Sequence, residues 1–123
     1  LYKHYAHEGG ISTPCIISWG NHVKNKGGLN HQPAQFSDIM STCVELAGAT
    51  YPKEYQGRAI LPTAGQSILP IVKGKKMPER YIYAEHEGNR MVRKGDWKLV
   101  SANFKGDEWE LYNIKEDRTE QHR

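Results

Sequence analysis

The chain has 123 residues, 37% hydrophobic and 25% charged, with a formal net charge of +3. That is one domain's worth of chain with a modest core, and so small and dispersed a charge points to no nucleic-acid partner. No apolar run approaches the roughly 20 residues of a membrane-spanning helix, no signal-peptide pattern opens the chain, and two cysteines make no disulfide framework.

The first informative stretch is Lys3-His4-Tyr5-Ala6-His7-Glu8-Gly9-Gly10-Ile11-Ser12-Thr13-Pro14, which runs into Cys15-Ile16-Ile17-Ser18-Trp19. The glycine pair predicts a sharp turn with close backbone approach. Residues 11–19 are rich in strand formers and predict a strand, with Pro14 at an edge or bulge. The polar, glycine-bearing residues 20–32 predict a loop. Phe36, Ile39, Met40, Cys43, Val44 and Ala47 fall at the spacing of an amphipathic helix, with Ser37 or Asp38 to cap its start and Gly48 its end. Residues 49–63 contain Pro52, Gly57 and Pro62 and predict an irregular connection; residues 66–73 predict a short helix stopped at Gly74. From Tyr81 the period becomes two. Residues 81–86, 90–93, 97–101 and 108–113 predict four strands, separated by turn-like segments at 87–89, 94–96 and 103–107, hence an antiparallel meander.

Several side chains invite a chemical role, each with a plainer alternative. Lys3 precedes a tight turn from which it could reach a site at the sheet's end, but this stretch alone favours a solvated loop lysine. Glu8 is expected to hold the turn or pair with a base. His4 and His7 stand three apart, a spacing suited to metal only on a helix, and the glycines and β-branched residues that follow argue against one. His86 lies at a strand end beside Glu85, Glu87, Asn89 and Arg90; such a hairpin either faces a ligand or is a surface turn of salt-bridging charges. Trp97, Trp109 and Tyr112 are expected in the core, Arg93, Lys94 and Lys98 on a solvated face, and Cys15 and Cys43 as buried thiols.

Taken in order, the segments resemble a known pattern. Lys3, Glu8-Gly9-Gly10-Ile11 and Pro14 are similar to the sulfatase motif Lys-x-x-x-x-Glu-Gly-Gly-Ile/Val-x-x-Pro, and Trp19 closes the strand that follows it. Asp38-Ile39-Met40-Ser41-Thr42 with Glu45-Leu46-Ala47-Gly48 resembles the family's Asp-x-x-Pro-Thr…Leu-Ala-Gly helix, with Ser41 in place of proline. Gly65-Gln66-Ser67-Ile68-Leu69-Pro70 resembles Gly-x-Ser-Leu-x-Pro. Glu85-His86-Glu87-Gly88-Asn89-Arg90, Arg93 to Val100 and Trp109 to Asn113 are similar to the closing hairpins of arylsulfatase-like enzymes.

The resemblance implies an α/β fold: the C-terminal part of an alkaline-phosphatase-like sulfatase, with one strand and helix of the large sheet plus the four-stranded meander. It implies residues 1–80 in the catalytic domain and 81–123 in a small antiparallel subdomain, both ends reading as cut from a longer chain. It implies hydrolysis of an aryl or carbohydrate sulfate ester, with Lys3 as a catalytic residue stabilising the leaving oxygen. His86, Asn89 and Arg90 would bind the substrate. The nucleophile, a formylglycine made within Cys/Ser-x-Pro/Ala-x-Arg, would lie upstream, because neither Cys15 nor Cys43 has that context, and so would the family's calcium ligands, an Asp pair near the N-terminus and an Asp-Asn/His-Gly motif shortly before the lysine. A sulfated small molecule or glycan would be the partner, and the periplasm or the exterior the location. Unpaired edges would favour self-association of the chain through residues 11–19. Two alternatives remain: a phosphodiesterase or phosphonate hydrolase on the same scaffold, or a non-catalytic carbohydrate-binding or structural module.

Overall fold

In a computed structural model, residues 3–106 and 108–123 are described. The elements run α1 (Glu8–Ile11), α2 (Phe36–Leu46), the pair β1 (Glu54–Tyr55) and β2 (Arg58–Ala59), α3 (Leu69–Val72), then β3 (Tyr81–His86), β4 (Asn89–Lys94), β5 (Trp97–Ser101) and β6 (Glu110–Asn113). The chain forms two compact units, one joining the segment through Ile16 to Glu79–Arg123, the other comprising Ile17–Pro78.

The expected meander is present, with strand order β3-β4-β5-β6 and every neighbour antiparallel. Its first turn is built from Glu87 (φ 51°) and Gly88 (φ 78°) between paired His86 and Asn89. Two left-handed residues in a two-residue loop match the right-handed twist of the flanking strands. The second turn starts at Gly95 (φ 56°). Of the turn expected over 103–107, Asn103–Lys105 form a single 3-10 turn, and Asp107 lies outside the described residues.

Side chains alternate across the sheet, so parity decides burial. One face packs Ile82, Met91, Val100 and Tyr112 with Ala6 and Ile114 into the core. The other leaves Tyr81, Tyr83, Trp97, Leu99 and Leu111 exposed. The core expectation for the aromatics is therefore corrected: Tyr112 is buried, but Trp97 and Trp109 are 55% and 47% exposed. Trp97 has the parity of Leu99, and the residue sharing the core face with Val100 is Lys98. Lys98, expected on a solvated face, is fully buried.

The N-terminal stretch also departs from expectation. The Glu-Gly-Gly-Ile segment is one helical turn, and residues 12–19 are exposed and form no strand. A strand needs a neighbour for its N–H and C=O groups, and none of the described residues pairs with this segment. The glycine expectation holds in a specific way: a Cβ on Gly10 would stand 2.1 Å from the Tyr5 carbonyl oxygen.

In the second unit α2 is present, but its start is set by Gln35. The Gln35 side chain accepts the N–H of Asp38, and the Asp38 carboxylate accepts the Gln35 N–H, a reciprocal capping box. Asp38 is thus the third helical residue, and Gly48 (φ 60°) follows the end as expected. The two motifs of this unit are knitted together. Fully buried Asp38 accepts the Gln66 N–H at 2.9 Å, Thr42 Oγ1 accepts the Ile68 N–H at 3.0 Å, and Ser41 Oγ donates to Gly65 O at 2.9 Å. Gly65 itself has no room for a side chain, since its Cβ would lie 2.2 Å from Ser37 O. The apolar stripe of α2 is exposed at Phe36, Ile39, Met40 and Leu46. Cys43 on that stripe and Cys15 in the unpaired segment are consequently exposed, against the expectation of buried thiols. Residues 49–63 hold the β1–β2 hairpin, made possible by Gln56 (φ 50°) and Gly57 (φ 74°).

Candidate functional site

Strand parity puts charges into the interior of the sheet unit, and they hold the Lys3 segment in place. Lys98 Nζ lies 3.0 Å from Glu8 Oε1 and 2.7 Å from Glu120 Oε1. Glu120 Oε2 in turn accepts the Glu8 N–H at 2.8 Å. The ammonium therefore ties α1 and the C-terminal tail to β5, and the expectation that Glu8 pairs with a base is met. An ammonium can be buried only when its charge is matched so closely.

Beside it, Glu110 gathers a second set. Its Oε2 accepts from His7 Nε2 at 3.0 Å and from the Tyr112 hydroxyl at 3.1 Å. Its Oε1 takes Lys105 Nζ at 2.5 Å and pairs with Arg123. Burial by itself would raise the Glu110 pKa, but the hydrogen bonds from Lys105, His7 and Tyr112 together outweigh it and hold the carboxyl down at about 2. Burial raises the Tyr112 phenol, and the adjacent Glu110 carboxylate adds to that; Arg123 acts in the opposite sense. These groups line a charged cavity of about 620 Å³, shared with Glu8, Arg118 and Glu120. Because Glu110 is ionised and accepting, His7 presents Nε2–H to it, and its Nδ1 has no hydrogen-bond partner among the described residues. His7 is thus a buried structural histidine and does not pair with His4.

The site residues named from sequence fall at the β3–β4 turn and the segment facing it. Lys3 is exposed, in left-handed backbone with φ 61°. Its neighbour His4 stacks on His86, ring centroids 5.6 Å apart. Glu87 Oε2 lies 3.0 Å from His4 Nδ1, and Glu87 Oε1 lies 3.9 Å from His86 Nε2. Asn89 is 4% exposed. Its amide donates to both His4 O and His86 O at 3.0 Å, and its Oδ1 accepts the Asn103 N–H at 3.0 Å. Arg90 is exposed, its guanidinium 5.4 Å from the Trp109 ring centroid. The hairpin and the Lys3 segment, 85 residues apart at Asn89 and His4, are therefore brought together, with Asn89 as the buried clamp between them.

The whole chain, residues 1–123, matches the family described as N-sulphoglucosamine sulphohydrolase, C-terminal. It is 32% identical over 98% of its length to an uncharacterised sulfatase of Schizosaccharomyces pombe, covering 23% of that protein. It is 27% identical over 96% of its length to an N-acetylglucosamine-6-O-sulfatase of Bacteroides thetaiotaomicron, covering 22%. To an N-acetylgalactosamine-6-sulfatase of Mus musculus it is also 27% identical over 96%, covering 20%. The chain spans about a fifth of the length of these relatives. With the Lys3–Pro14 segment, the α2 motif and the closing hairpins all present in order, the chain belongs to the C-terminal family of the sulfatases.

Proposed function

We propose that this chain acts as the C-terminal part of a sulfuric ester hydrolase with an alkaline-phosphatase-like fold, taking a sulfated small molecule or glycan. The observation that carries the proposal is the anchored Lys3 segment: Glu8 is locked by buried Lys98, and His4 is held to the β3–β4 turn by Asn89. Lys3 thereby stands exposed on a fixed support, where its ammonium can stabilise negative charge developing on a leaving oxygen. His86 and Arg90, exposed on the same hairpin, would contact the part of the substrate beyond the sulfate, with Asn89 holding the turn that presents them.

In the enzyme proposed, formylglycine supplies the nucleophile and calcium neutralises the sulfate. Neither cysteine nor the buried Asp38 fits these groups. Cys15-Ile16-Ile17-Ser18-Trp19 and Cys43-Val44-Glu45-Leu46-Ala47 lack the Cys/Ser-x-Pro/Ala-x-Arg context. Asp38, fully buried, has its two oxygens accepting the Gln66 and Gln35 N–H groups.

The test is to express the full reading frame that contains this chain and measure 4-nitrophenyl sulfate and sulfated N-acetylhexosamine hydrolysis. The 123-residue chain alone is measured alongside and should be inactive. Lys3→Ala should lower kcat roughly 10²-fold or more, with a smaller effect on KM, and the loss should shrink for good leaving groups. Lys3→Arg should rescue poorly. Near-normal kcat for Lys3→Ala on a poor leaving group would remove Lys3 from the mechanism. Hydrolysis of phosphodiesters in preference to sulfate esters would overturn the substrate class.

A further inference from the structure

We propose that His4, His86 and Glu87 form a surface binding site for a divalent transition-metal ion of the zinc type. The proposal shares His86 with the substrate contact above, and its test is read by metal binding alone, independently of hydrolysis. One ligand atom from each of the three residues lies within 4.8 Å of the others. His4 Nδ1 and His86 Nε2 converge on the two oxygens of one carboxylate, at 3.0 and 3.9 Å. A tetrahedral ion with bonds of about 2.0–2.1 Å sets its ligand atoms about 3.3 Å apart, so the three ligand atoms, within 4.8 Å of one another, would draw together on binding. Small rotations of the exposed side chains close the difference.

The support is tied together by hydrogen bonds. Glu87 is held in left-handed backbone at the turn, with Gly88 donating its N–H to Glu85 at 2.9 Å. Buried Asn89 donates one hydrogen bond to the carbonyl of each histidine, fixing the two backbones side by side. The two stretches of backbone that carry the histidines are therefore fixed relative to one another, and their imidazoles reach the ion by side-chain rotation. Two imidazoles and one carboxylate suit zinc, cobalt, nickel or copper, whereas calcium and magnesium call for an all-oxygen set. The fourth position would face water.

The experiment is calorimetric titration of the full chain with zinc chloride near neutral pH, repeated with calcium chloride. One zinc should bind per chain and calcium should neither bind there nor compete. His4→Ala and His86→Ala should each weaken binding at least about tenfold, the loss that even an outer partner brings. Glu87→Gln should weaken it too, and His31→Ala, in the other unit, should leave it unchanged. The substituted side chains are exposed, so unaltered tryptophan fluorescence is expected of every variant. As an independent readout, zinc should shift the imidazole resonances of His4 and His86 and leave those of His7. No stoichiometric zinc binding by the parent overturns the proposal. So does unchanged affinity in both histidine variants, or perturbation of other histidines only.

Discussion

The Glu110 cluster sets a pH dependence that can be worked out from the structure. Its carboxyl is held at about 2 against an ordinary 4.5. At about 1.4 kcal/mol per unit, this corresponds to about 3 kcal/mol of folded-state preference for the ionised form. The folded pKa lies below the unfolded one, so this stabilisation is fully present above pH 4.5. It is lost as pH falls from there through the folded value near 2. Glu110→Gln removes the charge that accepts from His7, Lys105 and Tyr112, and with it this part of the dependence. The assay is urea unfolding followed by tryptophan emission at intervals from pH 7 to pH 2, since Trp97 and Trp109 belong to this unit. The parent should lose stability steeply below pH 4.5. Glu110→Gln should start less stable at pH 7 and lose less on acidification, so that the two curves approach one another near pH 2. Parallel curves for parent and variant between pH 5 and pH 2 would refute the assignment of this stabilisation to Glu110.

The meander was legible because its signals are local. Gly88 and Gly95 sit at two-residue turns, and β-formers alternate between them, so strand positions and order followed without tertiary knowledge. The amphipathic period of α2 was equally local, although its cap moved to Gln35, a residue whose role depends on Asp38 returning the bond. What sequence did not give was the direction in which each strand faces. Trp97-Lys98-Leu99-Val100 alternates bulky apolar with smaller or charged residues, and hydrophobicity alone turns the tryptophan inward. The decision goes the other way because Glu8 and Glu120 supply two carboxylates that make burial of Lys98 tolerable, and both are distant in sequence. A lysine sharing parity with Val100 was the available clue. Residues 11–19 failed for the complementary reason, since strand propensity describes a surface that fits a sheet and cannot supply the neighbour. For the candidate site, the sequence singled out Lys3, His86, Asn89 and Arg90. It raised His4 with His7 only as a spacing and argued against a metal pair there, and it did not bring His4 to His86, which the fold joins through Asn89.

Three further outcomes test how the Lys3 segment is held. Gly10→Ala forces a Cβ to within 2.1 Å of a backbone oxygen; it should cost about 1–3 kcal/mol in urea unfolding, and an unchanged midpoint would show that α1 is not packed as described. Residues 12–19, with Ile16 95% exposed and no ladder partner, should drive concentration-dependent association in sedimentation velocity. Ile16→Lys should reduce it, and a monomer at all concentrations would contradict the expectation. The last prediction concerns Lys98. Replacing it with Met leaves Glu8 and Glu120 buried with no cation between them, a situation that costs about 3–5 kcal/mol when one partner of a buried pair is removed. The penalty comes from the orphaned carboxylates more than from the missing attraction. Adding Glu8→Gln and Glu120→Gln to Lys98→Met should therefore restore much of the loss, because the amide at 120 can still accept the Glu8-position N–H and nothing charged remains in the interior. A purely steric role for the lysine stem predicts the opposite, with the triple variant no more stable than Lys98→Met alone. That result would dissolve the proposed clamp, and with it the reason why Lys3 is presented on a fixed support.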